Sequence, residues 1–240
     1  KRISAGLLDL IVLAVAATGF MYMISLIVGY DAKYSELDAY YAKYAAEYGI
    51  SFDVTDEEIY AMEEAECAKY EAAVEAMNAD AGLQKAFALT VNLTLVILSI
   101  GLLLAYALTE FAVPLFLKNG QTVGKKVFGL CLMQNDQTRL KPISLAVRTF
   151  LGKYAIGTMV PALMAVMLLA GMIGIAGTIV IVLILLLQII LMAATQNNCA
   201  IHDALAATVV VDAKSQKIFD DLKAKEEYRN SIENSEKRGL

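Results

Sequence analysis

Four long apolar stretches, separated by polar segments, set the pattern of this chain. The first covers about residues 4–29 and the second about 84–113. Tyr154 to Ile201 contains no charged residue, which is about twice the ~20 residues that one bilayer crossing needs. Three glycines near its middle can form a turn, so we divide this part into helices over about 146–170 and 177–197. The pattern predicts an all-α, polytopic membrane protein built on a four-transmembrane-helix bundle.

The polar segment between the first two apolar stretches predicts a pair of helices. Thr55 and Glu58 form a capping-box pattern, and apolar residues follow at helical spacing from Ile59 onward. We expect the second helix to continue through Gly82 into the next membrane span. The chain is then a single membrane domain, 1–240, with an acidic helical insertion at 30–83 and a short tail at 213–240.

The charges of the chain are segregated, and this predicts an orientation. Residues 30–85 hold fourteen acidic and four basic residues, a net charge of −10, whereas 114–153 hold seven basic and one acidic, a net charge of +6. Basic loops near membrane spans stay in the cytoplasm. We therefore expect both termini in the cytoplasm, the insertion on the outer face, and the cell membrane as the location. The overall charge of −5 averages over these blocks and gives no reason to expect nucleic-acid binding.

Asp9 is the candidate functional residue of the first apolar stretch. A carboxylate inside a membrane-length segment is costly unless it is paired or hydrated. Arg2 stands seven residues earlier, which places both on one face of a helix about 10 Å apart along its axis. That separation is long for a direct pair, so Arg2 is expected to reach the interface or a carboxylate elsewhere.

A glycine-rich element follows the second stretch and carries a family resemblance. It reads Gly120-Gln121-Thr122-Val123-Gly124-Lys125-Lys126-Val127-Phe128-Gly129. Together with Arg2 and Asp9 at the start and Asp203 after the last stretch, it resembles the RDD family of prokaryotic membrane proteins, which is named for one arginine and two aspartates. The resemblance covers about 2–29 and 86–212. The large acidic insertion departs from the short first loop expected of the family.

The resemblance implies that Arg2, Asp9 and Asp203 are the family's charged trio, and we expect one arginine to lie between the two aspartates. Glu110 and Arg148 are candidate further members of this cluster. Three interpretations stay open: a structural ion cluster that fixes helix register, an ion or proton site, or an Asp9 side chain that reaches out to the interface. The single histidine, His202, either titrates near neutral pH or serves as a hydrogen-bonding residue.

The glycine-rich element does not have the spacing of a phosphate-binding loop. We expect Thr122 to begin a short amphipathic helix at the inner surface, with Lys125 and Lys126 toward anionic lipid head groups. After it, the residues around Asn135 predict a small hairpin.

Function is less determined than fold. No catalytic motif appears, so we expect no enzyme, and the three cysteines match neither a disulfide framework nor a metal site, so we expect no cofactor or metal.

The resemblance implies transport for some members. One hypothesis is a small ion- or proton-coupled transporter, working as a homo-oligomer. The alternative is a membrane scaffold or regulatory subunit that binds a protein partner through the 30–83 insertion or the inner amphipathic segment. Because the chain begins without an initiating Met, we expect further residues before Lys1.

Overall fold

A computed structural model describes residues 1–169, 174–194 and 200–238, and the chain is mostly helical. The ends of the third and fourth predicted spans, residue 170 and residues 195–197, lie outside this described part. In the first half of the chain the α-helices are α1 Arg2–Val28, α2 Tyr30–Tyr48, α3 Asp56–Ala61, α4 Glu64–Ala79 and α5 Ala81–Tyr106. A first π-helical segment, Ala107–Ala112, and α6, Val113–Phe116, continue from α5.

The second half of the chain alternates short and long elements. In chain order they are a 3-10 turn Lys118–Gly120, α7 Val123–Val127, β1 Leu130–Gln134, α8 Pro142–Ala146, a second π-helical segment Val147–Met159, α9 Val160–Leu169, α10 Ile175–Ala194, α11 Ile201–Leu205, β2 Thr208–Asp212 and α12 Leu222–Arg238.

Three stretches of the described helices are long and apolar enough to cross a membrane: Arg2–Val28, Ala81–Phe116 and Pro142–Met167. Few of their residues are buried, as expected of helices whose surroundings are hydrocarbon rather than water. The chain is therefore a membrane protein with apolar helices. α10 is a further helix of 20 residues without a charged side chain.

The chain divides into two compact units, which we describe separately. The smaller unit comprises residues 19–101. Its core is formed by Tyr44, Met77 and Leu83, with further aromatic residues packed against them. The capping box at Thr55 and Glu58 is confirmed, and it begins α3.

Asp80 interrupts the helix that we expected to run through Gly82. Its backbone is extended, with ψ at 103°, and its carboxylate accepts the N–H groups of Gly82 and Leu83 at 2.8 and 3.2 Å. Asp80 therefore ends α4 and caps the start of α5, and the expectation of one continuous helix was wrong. The physical reason is that aspartate is favoured at the start of a helix, where its carboxylate accepts the free backbone N–H groups, and is unfavourable inside a continuous helix.

The larger unit comprises residues 1–18 and 102–240 and contains a two-stranded sheet. β1 and β2 are antiparallel, with Leu130 opposite Asp212 and Gln134 opposite Thr208. The fold is therefore not purely helical, which corrects the expected class. The small hairpin expected around Asn135 is present as a short turn, in which the Gln134 N–H donates to the Thr138 carbonyl at 3.0 Å. Across that turn the structure has one isolated bridge, Met133 to Arg139. The valine-rich β2 offers β1 a full five-residue partner and a shared apolar face.

The tail beyond β2 packs on the turn that follows β1. The Phe219 N–H donates to the Gln137 carbonyl at 3.0 Å, and the Arg139 N–H donates to the Phe219 carbonyl at 2.8 Å. Lys217 Nζ lies 3.2 Å from the centre of the Tyr228 ring on α12. These contacts attach the tail to the turn that follows β1.

Candidate functional site

Asp9 lies two turns into α1, and its carboxylate is bound by the start of α7. The Thr122 hydroxyl donates to Oδ2 at 2.5 Å, the Gly124 N–H donates to Oδ1 at 2.7 Å, and Lys125 Nζ lies 3.4 Å from Oδ2. Thr122 Oγ1 also accepts the N–H of Lys125 and so caps α7. The Asp9 side chain is 10% exposed, so these donors take the place of water around its charge.

Gly124 allows this close approach between the loop and α1. A Cβ atom at this position would collide with the Ala5 carbonyl oxygen and would lie 2.8 Å from Asp9 Oδ1. Any larger residue would therefore push α7 away from α1 and lengthen the hydrogen bond from its N–H to the aspartate. The glycine therefore has a steric role in binding Asp9.

The structure corrects the role that we expected of Lys125. Its side chain is buried, 6% exposed for the whole residue, and its ammonium group lies against Thr122 and Asp9 rather than against lipid head groups. Lys126 is exposed, and the contact with head groups that we expected of both lysines stays a prediction for Lys126 alone. The short helix has one face on the protein and one outside, and the two consecutive lysines lie on different faces.

The remaining members of the element shape its ends. Gly120 and Gly129 have φ of +62° and +70°, the left-handed region that glycine adopts without strain. Gln121 Nε2 donates to the Leu130 carbonyl at 2.7 Å, which ties the loop to the first residue of β1. These contacts fix the ends of the glycine-rich element, whose Thr122, Gly124 and Lys125 contact Asp9.

Asp203 forms a second buried pair, with Arg148. Arg148 Nη1 donates to Asp203 Oδ1 and, at 2.9 Å, to the Thr208 hydroxyl. Asp203 Oδ2 accepts the Ala200 N–H at 3.3 Å, so the same carboxylate caps α11. The two side chains of the pair are 3% and 7% exposed. Breaking such a pair leaves an uncompensated buried charge, which is the costly event.

Arg2 connects the start of α1 to β2. Its guanidinium donates to the Val210 carbonyl at 2.5 Å. The two aspartates also have cations beside them that we did not expect to pair with them, Lys125 at Asp9 and Arg148 at Asp203. That Arg2 lies between the two aspartates stays a prediction.

Glu110 and Lys153 form a third pair, and each lies in a π-helical segment. Their charged atoms are 2.6 Å apart, with side chains 8% and 18% exposed. In an α-helix, Arg148 and Lys153 would be rotated by about 140° from each other because they are five residues apart. The i to i+5 bonding of a π-helix brings such residues toward one face, and π-segments are frequent at functional sites.

These charged groups line one cavity of about 450 Å³ in the larger unit. Its acidic and basic side chains are those of Arg2, Asp9, Glu110, Lys125, Arg148, Lys153, His202 and Asp203. All five residues of the predicted charge cluster are thus at its wall, and Lys125 and Lys153 join them. In the part of the chain that the structure describes, no group of three or more His, Cys, Asp or Glu side chains is arranged to hold a metal ion.

The pKa of His202 is shifted by its burial and by the charges around the cavity. Burial, and then the positive charges of Arg148 and Lys153, lower the pKa of His202 far below its ordinary value of 6.5. The lowered pKa disfavours the interpretation that His202 titrates near neutral pH. Gly152 makes room for it, since a Cβ atom there would lie 2.5 Å from the His202 Cβ.

Sequence reasoning missed Lys153, Thr208 and the inward direction of Lys125. A signal for Lys153 was present, since the argument that singled out Asp9, a charge inside an apolar span, applies equally to a lysine beside Tyr154. No comparable signal marked Thr208, which the sequence presents as part of a strand.

Comparisons with known proteins identify a family. The model of the RDD family matches residues 1–207, which includes both aspartates and the glycine-rich element. Searches of curated proteins and of solved structures gave no match.

Proposed function

The chain belongs to the RDD family, and we propose that this member is a small transporter that couples the movement of an ion to protonation of Asp9. The observation that carries the proposal is the cavity of about 450 Å³. Its walls bring three carboxylates and four cationic side chains together in a membrane protein. Intramembrane charges of this kind are costly and commonly mark ion or proton pathways.

The contacts of Asp9 favour a proton over a metal cation as the coupling ion. A metal ion at this carboxylate would have to displace the Lys125 ammonium and the Thr122 hydroxyl, which lie 3.4 and 2.5 Å from Oδ2. A proton needs no such space. The Lys125 contact is also the longest of the three cation–carboxylate contacts in the cavity, so Asp9 is the carboxylate whose charge is least tightly held by a cation.

The topology of this proposal has four membrane spans. They are the three apolar stretches together with α10, which has the length of about one bilayer crossing. The segment 117–141 between two of these spans, with Lys118, Lys126, Arg139 and Lys141, then faces the cytoplasm with both termini, and the 30–83 insertion lies on the outer side of the cell membrane. Four spans are few for a transport path in one chain, and this supports a homo-oligomer.

The proposal is tested by flux measurements. Purified protein is reconstituted into liposomes loaded with a pH-sensitive dye, and gradients of sodium, potassium, chloride or benzenesulfonate are imposed in turn. At least one gradient should drive proton movement through the wild-type protein, and Asp9→Asn should abolish it because the amide does not exchange a proton.

Asp38→Asn is the matched control, since this exposed aspartate lies on α2 outside the cavity. It should leave the flux unchanged. Circular dichroism and gel filtration should show that both variants fold and assemble as the wild type does. Wild-type liposomes without proton movement under every gradient would exclude the transport proposal.

The smaller unit supports a second candidate function, a scaffold or regulatory subunit. Its helical insertion carries a net charge of −10 over residues 30–85 on a self-packed core of aromatic residues, a surface that fits a basic protein partner. Deleting residues 50–62 and testing assembly and flux separately distinguishes the two functions. Loss of a co-purifying partner with unchanged flux would assign partner binding to the insertion, and loss of neither would remove the scaffold candidate.

A further inference from the structure

A second cavity of the larger unit, of about 320 Å³, lies where one apolar stretch ends and another begins. Its two sides are the end of the stretch Ala81–Phe116 and the start of the stretch Pro142–Met167. The lining residues from these two sides are Pro114, Leu115, Leu117, Pro142 and Leu145. Because the chain leaves the membrane at one of these ends and enters it again at the other, the cavity lies at a membrane surface in either orientation of the chain.

The charged residues at this wall, in the part of the chain that the structure describes, are both basic: Arg139 and Lys141. Arg139 Nη1 lies 3.3 Å from Asp220 Oδ1, but the two side chains are 63% and 84% exposed, so water competes for both groups and the pair contributes little. Asp136, which interacts electrostatically with Lys141, directs its Oδ1 to Thr138, whose N–H and hydroxyl donate at 3.0 and 2.6 Å. Both cations can therefore take an anionic ligand without the loss of a buried ion pair.

The surface beside these cations is apolar and exposed. Phe116 and Ile143, at the two ends of the apolar stretches, are 88% and 70% exposed, and Leu115 at the cavity wall is 46% exposed. A Cβ atom at Gly120 would collide with the Leu140 side chain, so the glycine allows Leu140 to line the cavity. An apolar surface next to two basic side chains at a membrane surface matches a molecule with an anionic head and an apolar body.

We infer that this cavity binds the head group of an anionic glycerophospholipid, with the phosphate at Arg139 and Lys141 and the first part of the acyl chains along Leu115 and Phe116. Arginine binds phosphate oxygens through two parallel N–H groups, and one basic side chain near a membrane surface favours an anionic lipid about fivefold. The exposed apolar side chains favour a lipid over a free phosphate. The inference is independent of the transport proposal, since Arg139 and Lys141 lie outside the cavity that holds the charged pairs.

The absence of tryptophan from the chain provides a local probe of the lipid. Phe116→Trp places a single indole next to Leu115, at a position that is exposed and outside the cavity lining. The full chain is reconstituted into mixed bilayers of phosphatidylglycerol and phosphatidylcholine, in which either lipid carries bromine on its acyl chains. Quenching of the indole by each brominated lipid gives the relative affinity of the two lipids at this position. Phosphatidylglycerol should be preferred at least about fivefold, and equal affinities would overturn the inference.

Charge variants in the Phe116→Trp background test the two cations. The double variant Arg139→Gln, Lys141→Gln should reduce the preference to less than about twofold. Lys126→Gln is the matched control for Lys141→Gln, because each removes one exposed lysine between the same two apolar stretches, and Lys126 lies outside the cavity lining. Lys141→Gln should lower the preference at least about twofold, whereas Lys126→Gln should leave it unchanged. Equal losses would show attraction by the general surface charge and would overturn the inference.

A second indole position and a soluble competitor complete the test. Val15→Trp, at a 70% exposed position on α1, should show no preference between the two lipids, and a preference as large as at Phe116→Trp would contradict a local site. This comparison uses no charge variant, so it decides the matter even if the glutamine variants do not fold. Glycerol 3-phosphate in millimolar excess should leave the quenching by phosphatidylglycerol unchanged. Displacement of the lipid by this compound would assign the cavity to a soluble phosphate and overturn the choice of a lipid.

Discussion

The larger and the smaller unit both contain many charged side chains, and they differ in how those side chains are solvated. In the smaller unit, every acidic residue whose exposure is described is exposed except Asp80, which is half-buried. In the cavity of the larger unit, the side chains of all three carboxylates are at most 10% exposed, and each contacts a cation. The same residue types therefore act as a solvated surface in one unit and as a paired network in the other.

This difference predicts which substitutions should change the free energy of unfolding most. An exposed charge interacts mainly with water and salt, so its loss changes the free energy of unfolding little. A buried charge depends on its partner, and removing the partner leaves it in a medium that solvates it poorly. The following substitutions test that contrast in order of decreasing expected effect.

Arg148→Met should give the largest loss of stability, about 3–5 kcal/mol, because it leaves the buried Asp203 carboxylate without its cation. The double variant Arg148→Met, Asp203→Asn should lose less than the single variant, since no buried charge is left behind. Thermal unfolding in detergent, followed by circular dichroism, measures both. A double variant less stable than Arg148→Met would contradict the assignment of this pair.

Thr122→Val should cost about 1.5–3 kcal/mol, the usual range for a hydrogen bond to a charged group. The valine keeps the shape of threonine but removes the donor to Asp9 Oδ2 and the cap of α7. Thr122→Ser keeps the hydroxyl and should recover most of the loss. Equal unfolding temperatures for the valine and serine variants would show that the hydroxyl is not what holds Asp9.

Asp80→Asn tests the carboxylate of the smaller unit that has specific partners. The Leu83 N–H, followed by the Tyr44 hydroxyl, lowers the pKa of Asp80 below its ordinary value of 3.8. The folded state thus binds this proton less readily than the unfolded state. Its contribution is fully present above the ordinary pKa and is lost as the pH falls through the lower native pKa. The asparagine variant should unfold with a weaker dependence on acid pH. An unchanged acid transition would show that the carboxylate does not stabilise the junction.

Lys33→Ala should have the smallest effect, below about 0.5 kcal/mol. Its ammonium group lies 3.1 Å from Glu36 Oε2, but the two side chains are 44% and 52% exposed. The small effect should disappear in high salt, measured by the same thermal unfolding. A loss comparable to that of Thr122→Val would break the contrast between the two units.

Much of the framework could be predicted from the sequence. The apolar stretches predicted the membrane helices, and Thr55 and Glu58 predicted the start of α3. Each of these depends on residues that are neighbours in the chain. What the sequence did not show is where a helix stops and which distant segment pairs with a strand: Asp80 ended a helix that was expected to continue, and β1 found a five-residue partner in β2 beyond its short bridge across the Asn135 turn.

The candidate site was likewise predicted only in part from the sequence. That Asp9 and Asp203 are special followed from a carboxylate in an apolar span and from the family resemblance. That Lys125 turns inward did not follow, because an amphipathic helix of five residues gives too little periodicity to assign its faces. Lys153 was missed although the argument that singled out Asp9, a charge inside an apolar span, applies to it equally.

The sequence by itself determined that this is an RDD-family membrane protein, that buried charge occurs in it, and which glycine-rich element accompanies that charge. These are properties of composition, spacing and local conformation. Only the tertiary structure decided which cation neutralises which carboxylate, since Thr122 and Asp9 are 113 positions apart and Arg148 and Asp203 are 55 apart. The physical reason is that pairing depends on distances of about 3 Å between side chains, and these are set by how helices and strands pack rather than by the order of residues along the chain.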